Sequence, residues 1–234
     1  MARETILLLH GAGLGGWMWQ PVADLLRPRF DVLTPDLPGH PESELPHFTT
    51  NADAADAIAA GLDNPVTAVG FSIGGQVAME LASRHPHLVE RLAVVSSLSS
   101  RSFSPTAMSV VMRVTAPLAR NRRFARAQAK ASFVPEEQFE HYWRSSRHVS
   151  AQSLAAIGRE NFAYRAPAGW GERSIPTLLL AGGREPRAVA QGMRLLQTAR
   201  PDAEFELVAD AGHSVPLDRP AWLAARLERF MLEH

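Results

Sequence analysis

The chain has 234 residues, enough for one domain with a proper hydrophobic core, and 46% hydrophobic with 21% charged residues is ordinary globular composition. Its 24 basic and 24 acidic residues cancel, so whole-chain charge gives no reason to expect nucleic acid or a membrane surface as partner. Cysteine is absent, which excludes disulfides, thiolate catalysis and zinc-thiolate sites.

The N-terminal residues carry an acid, Glu4, and a short apolar run from Ile6 to Leu9. That run is too short for a signal-peptide core or a membrane span, so a cytoplasmic protein is expected. The same run, Thr5–Leu9, predicts a buried strand. A helix is expected over Trp17–Leu26, ended by Pro28, and a second strand over Phe30–Thr34. Asn51–Gly61 predicts a helix with Thr50 or Asn51 as N-cap. Val66–Phe71 predicts a third strand, Ile73–His85 an Ala-rich helix stopped by Pro86, and Leu92–Ser96 a fourth strand. Thr177–Ala181 and Glu204–Val208 predict the fifth and sixth, separated by a helix over Ala188–Ala199 and followed by a closing helix over Ala221–Leu232.

Strands apolar on both faces and separated by helices imply an α/β fold: a mostly parallel, doubly wound sheet covered on both sides. Right-handed crossovers gather the C-terminal strand ends on one edge, where ligands bind. The stretch from Ser100 to Gly171 differs. Its apolar residues are spaced for helices and Pro105, Pro117, Pro135 and Pro167 divide it. It is expected to be a helical lid over that edge. The domain expectation is therefore a core of residues 1–99 and 172–234 with a cap of residues 100–171.

The strongest chemical signal is Gly70-Phe71-Ser72-Ile73-Gly74-Gly75, which follows a strand and opens a helix. A Gly-x-Ser-x-Gly turn in that setting forces its serine into a strained conformation, with glycines allowing strand and helix to approach. Ser72 is the expected nucleophile. A serine hydroxyl needs a base to take its proton. Among nine histidines, His213 is best placed, in the loop directly after the last strand. His85 and His87 flank Pro86 at a helix end, His141 and His148 lie in the insertion, and His47 is in a loop. A third group should orient the imidazole. Glu185, after the fifth strand, is the candidate; Asp210 is its rival but sits close to His213 in sequence. The segment from Ser96 to Ser104 offers no carboxylate.

An oxyanion hole needs two backbone N–H groups. One is that of Ile73, next to the nucleophile. The second is expected from the glycine-rich loop His10-Gly11-Ala12-Gly13-Leu14-Gly15-Gly16. That loop also spells a dinucleotide-type Gly11-x-Gly13-x-x-Gly16, a weak signal alone. No acidic residue follows the second strand with a ribose-binding look, since Asp36 leads into the turn Leu37-Pro38-Gly39-His40.

These pieces, with Leu178-Leu179-Leu180-Ala181-Gly182-Gly183-Arg184-Glu185 and Gly212-His213, resemble the α/β-hydrolase superfamily over essentially the whole chain. The chain order nucleophile, acid, histidine is the one that fold uses. The resemblance implies catalytic Ser72, His213 and Glu185, oxyanion donors on Ala12 and Ile73, and structural roles for His10 and His40. It departs from the family in lacking an N-terminal antiparallel hairpin, in using Glu where Asp is commoner, and in reading Pro38-Gly39-His40-Pro41. The opening stretch through Trp17-Met18-Trp19 is similar to small carboxylesterases and hydroxynitrile lyases. Gly11 and Ser214, where the lyases carry a hydroxyl residue and a lysine, argue against cyanohydrin cleavage. Gln76 stands where a related menaquinone-pathway lyase would carry arginine.

Between Arg91 and Pro135 no acidic residue occurs, yet Arg101, Arg113, Arg120, Arg122, Arg123, Arg126 and Lys130 do. A solvated helix face is the plain expectation. Arginines facing the pocket to bind a substrate carboxylate are the sharper one. Phe103, Met108, Met112, Phe124, Phe133, Phe139, Tyr142 and Trp143 give the insertion apolar stock for packing and for a pocket. The expected activity is hydrolysis of a small to medium carboxylic ester, or a related lactone or thioester, through an acyl-enzyme on Ser72. C–C bond hydrolysis or a menaquinone-pathway-like lyase would use the same triad, and a ligand-binding receptor retaining the triad is the alternative of another class. No cofactor and no metal are expected. The expected partner is a small-molecule substrate, with no nucleic acid and no membrane, on a monomer or homodimer.

Overall fold

Unbroken apolar runs become strands where both faces can be covered. In the computed structural model, which describes residues 3–99, 104–132, 134–172 and 174–234, six strands form: β1 (Thr5–Leu9), β2 (Asp31–Leu33), β3 (Val66–Phe71), β4 (Val89–Val95), β5 (Thr177–Gly182) and β6 (Glu204–Val208). They make one sheet in the order β2-β1-β3-β4-β5-β6, every pairing parallel. The register sets Leu9 beside Gly70, Phe71 beside Val95, Val95 beside Leu180 and Gly182 beside Val208. The C-terminal strand ends therefore line one edge.

Alternate residues of each strand enter opposite cores, as the two-residue period of a strand demands. Leu7, Leu9, Ala68, Val94, Leu179 and Ala181 pack against α2 (Asn51–Ala59), α3 (Ile73–Arg84) and α8 (Arg187–Ala199). Ile6, Leu8, Val69, Phe71, Val95, Leu178 and Leu180 pack against α1 (Gln20–Leu26) and α10 (Pro220–Glu233). The sheet is doubly wound, as expected. Thr50 caps α2 by accepting the Asp53 N–H at 3.0 Å.

Between β4 and β5 the described residues form no strand. They form α4 (Pro105–Thr115), α5 (Arg122–Ala131), α6 (Phe139–Ser146) and α7 (Ala151–Ala163). Caps from Ser104, Asn121 and Ser150 start three of them, and Pro105 sits in the first turn of α4. The insertion is tied to the sheet's C-terminal edge at both flanks. Trp17 Nε1–H, after β1, donates to Ser145 Oγ at 2.7 Å, and Ser214 Oγ–H, after β6, donates to the Ser132 carbonyl at 2.5 Å. Arg101, Phe103 and Phe133 lie outside the described residues.

Several boundaries differ from expectation. Pro21 falls in the first turn of α1, and the preceding residues Gly16–Trp19 wind as a 3-10 turn, so the helix begins at Gln20 rather than Trp17. β2 keeps only three residues, Asp31–Leu33, paired with β1 alone. β4 starts at Val89, three residues early, with Glu90 exposed, and stops before Ser96. A further short helix, α9 (Val215–Asp218), follows His213.

Candidate active site

The turn from β3 into α3 leaves one residue, Ser72, to change direction. Its backbone has φ 55° and ψ −120°, a conformation that L-residues other than glycine rarely adopt. The glycines around it are sterically required. A Cβ on Gly70 would lie 2.2 Å from the Gly74 carbonyl oxygen, and one on Gly74 would lie 2.4 Å from that of Leu9. Ser72 N–H still donates to Val95 O at 2.9 Å, so the elbow hangs on the β3–β4 ladder. Phe71 and Ile73 are buried while Ser72 is half-buried, which leaves the serine as the group presented outward.

His213 and Glu185 come together. His213 Nδ1 lies 2.9 Å from Glu185 Oε2, and the Glu185 side chain has no solvent-exposed surface. Glu185 is therefore not a surface residue paired with Arg184 or Arg187. Arg184 instead donates to the Asp210 carbonyl. Asp210 is exposed, with φ 59°, and that carbonyl also receives Arg219 at 3.2 Å. Glu185 Oε1 accepts two more hydrogen bonds, from Gly182 N–H at 2.7 Å and from Ser96 Oγ–H at 2.5 Å. Ser96 is one of several serines in its loop, and nothing in the sequence sets it apart from them.

The Phe71 ring, next to Ser72, lies 5.0 Å from the His213 ring between centroids. That contact brings the His213 ring to the C-terminal end of β3, whose last residue immediately precedes Ser72. No hydrogen bond links the Ser72 hydroxyl to the imidazole among the described residues; such contacts commonly tighten when substrate binds.

The loop after β1 is held by two buried histidines. Leu37 N–H donates to His10 Nε2 at 2.9 Å, and Gly13 N–H donates to His40 Nε2 at 3.1 Å. Both acceptor nitrogens must be unprotonated, so both rings are neutral with the proton on Nδ1. Burial pushes the His10 pKa down, and burial together with neighbouring His10 pushes that of His40 down to about 3. Asp36 completes the frame: its carboxylate accepts from Gly16 N–H at 2.6 Å and Glu42 N–H at 2.9 Å. Gly16 N–H is thereby engaged in the fold, against the dinucleotide reading of this loop. Ile73 directly follows Ser72 and Ala12 lies in the loop after β1, and no described backbone hydrogen bond engages either N–H.

Gln76, one turn into α3, is fully buried and fully occupied. It accepts from Asn51 Nδ2 at 3.0 Å and donates to the Leu98 carbonyl at 2.9 Å and Asn161 Oδ1 at 2.8 Å. It joins α2, α3, the loop after β4 and α7. The described cations of the basic stretch between Arg91 and Pro135, namely Arg113, Arg120, Arg122, Arg123, Arg126 and Lys130, are solvent-exposed. Arg122 pairs with Glu140 and lies over Trp143, and Arg126 pairs with Glu136 at 2.9 Å over Phe139. The acids missing from the basic stretch are supplied by the next one. A groove of about 980 Å³ opens beside edge strand β2, lined among others by Leu33, Leu45, Ile58, His141 and Arg144; neither Ser72 nor His213 borders it. Among the described residues no group of three or more His, Asp or Glu side chains is arranged to hold a metal ion, and no helix is long and apolar enough to cross a membrane.

A serine on a strained strand–helix turn, beside a histidine backed by a buried carboxylate, is the architecture of a hydrolase. The model of the alpha/beta hydrolase family matches residues 6–226, and the chain belongs to that family. It is similar to a pimeloyl-[acyl-carrier protein] methyl ester esterase of Chromobacterium violaceum, 33% identical over 227 residues that cover 95% of this chain and 81% of that protein. A protein of the same description from Aromatoleum aromaticum is 30% identical over 235 residues, covering 97% and 87%. Among solved structures, an enol-lactonase from Burkholderia xenovorans LB400 superposes with a TM-score of 0.83 at 22% identity, covering 99% of this chain and 92% of that one. At that identity the likeness concerns the fold.

Proposed function

We propose that this chain hydrolyses a small to medium carboxylic ester through an acyl-enzyme on Ser72, with His213 as general base and Glu185 as the acid that orients it. The coarser class, an esterase-type hydrolase, follows from the family and its esterase-named relatives. The observation that carries the finer reading is the 2.9 Å contact between His213 Nδ1 and a fully buried Glu185 carboxylate. That bond puts the imidazole proton on Nδ1 and leaves Nε2 free to accept one.

In the proposed first step, Ser72 Oγ attacks the ester carbonyl carbon while its proton passes to His213 Nε2. The charge that develops on the carbonyl oxygen is met by the Ala12 and Ile73 N–H groups, the latter at the N-terminus of α3. Glu185 stabilises the imidazolium. The C–O bond then breaks, and Nε2–H protonates the departing alkoxide. Water repeats the sequence on the acyl-serine, with His213 again taking the proton, and the acid product leaves with Ser72 restored. Ser72, His213 and water account for every bond change.

Residues 100–171 are assigned the role of a cap on a core of residues 1–99 and 172–234. Support comes from their ties to the loops after β1 and β6. The substrate set to test includes short p-nitrophenyl esters and, from the relatives' names, methyl esters of carrier-bound acyl groups. Ser72→Ala and His213→Ala should each lower kcat about 10³-fold or more. Wild-type turnover retained by Ser72→Ala would refute the proposal. Covalent labelling without turnover of any ester would favour the receptor alternative.

A further inference from the structure

We infer that Ser96 is a positioning residue for this site, its hydroxyl holding the Glu185 carboxylate in the orientation that serves His213. The inference rests on the serine-esterase reading above and adds a residue to it.

Ser96 is the first residue beyond β4, and its N–H still donates to Leu180 O at 2.8 Å, extending the β4–β5 ladder. Its backbone then turns to φ 54°, in the left-handed region where glycine is the usual occupant. A serine there carries a steric cost that a packing role alone would not retain. The turn accompanies a hydroxyl pointed at the next strand's loop. Ser96 is almost completely buried, and Oγ–H meets Glu185 Oε1 at 2.5 Å.

The carboxylate needs that partner. Glu185 is buried, and His213 is the one titratable group paired with it among the described ion pairs. A buried carboxylate is costly unless its oxygens are hydrogen-bonded. Oε2 serves His213. Oε1 is held by the Gly182 N–H and by Ser96. Glutamate also has one more rotatable bond than the aspartate commoner at this position, so its carboxylate plane requires a second anchor. With Ser96 removed, Oε1 keeps a single donor and the plane can turn away from Nδ1.

Glycine separates positioning from packing. Ser96→Gly relieves the positive φ, so a merely structural role predicts equal or higher thermal stability and unchanged turnover. The positioning role predicts kcat lowered about tenfold with KM changed less than about twofold, because the imidazole acts in the transition state rather than in substrate binding. Ser96→Ala, which keeps the strain and loses the hydroxyl, should show the same kcat loss and serves if the glycine variant folds poorly. In a Glu185→Ala background, adding Ser96→Gly should cost no further activity, since Ser96 acts only through that carboxylate. Ester hydrolysis by the four variants and wild type tests this, with Ser72→Ala alongside. Wild-type kcat in a folded Ser96→Gly or Ser96→Ala, or an undiminished Ser96 effect without Glu185, overturns the inference while an inactive Ser72→Ala leaves the serine reading standing. Full turnover by Ser72→Ala overturns both.

Discussion

Ser72 and Ser96 are two of three non-glycine residues with positive φ among the described residues; the first is the proposed nucleophile and the second bonds the proposed acid. Each such residue costs on the order of 1–3 kcal/mol, which the surrounding sheet must supply. The elbow survives because Gly70 and Gly74 let backbone touch backbone. Gly74→Ala should therefore destabilise the fold by about 3 kcal/mol and abolish activity, checked by urea denaturation beside an ester assay. His40 gives a pH signature. Its folded pKa of about 3 lies below the ordinary 6.5, so the unfolded chain binds the proton first as pH falls. The neutral ring contributes its full stability above about pH 6.5 and loses it progressively toward pH 3. At pH 5 the loss is about 2 kcal/mol relative to pH 8. A His40→Gln variant, lacking the titrating ring, should show a flatter decline in urea midpoint over that range. Identical declines in the two proteins would contradict this assignment.

At the level of elements, legibility followed burial. β1 and β3 begin and end where their apolar runs do, because burial and sequence pattern coincide there; β6 keeps its expected bounds as an alternating, half-buried edge strand. Glu90 and Arg91 mask the start of β4 in the sequence, although a strand can turn one side chain outward without breaking its ladder. Ser72, His213 and Glu185 stood out by position: each follows a strand on one edge. Ser96 did not, because it lies 89 residues from the carboxylate it bonds, and a positive φ on serine leaves no mark in sequence. Gln76 binds α3 to α2, α7 and the loop after β4, a task that a single amide residue in a helix does not announce in the sequence. Gln76→Leu leaves the amide of Asn161, the Asn51 side chain and the Leu98 carbonyl short of a partner. It should cost about 2 kcal/mol in chemical denaturation and speed limited proteolysis between α4 and α7, whereas a loss under 0.5 kcal/mol would deny that role.

Across the whole molecule, the parallel sheet explains how residues far apart in sequence meet. Right-handed crossovers deliver the loops after β1, β3, β4, β5 and β6 to one edge, so the proposed oxyanion donors, nucleophile, acid and base, together with Ser96, arise from five separate segments. The described helices after β4 are tied back to that edge, and the described cations of their basic stretch are exposed, paired in part by Glu136 and Glu140. Net neutrality thus hides a locally basic face that composition alone does not reveal. The proposed chemistry of this edge stands or falls with Ser72 as its activated nucleophile. A fluorophosphonate reagent, followed by peptide mass mapping, reads that property out. One adduct per chain is expected, on Ser72, absent from Ser72→Ala and slowed at least a hundredfold in His213→Ala; no adduct, or one on any other residue, would refute it.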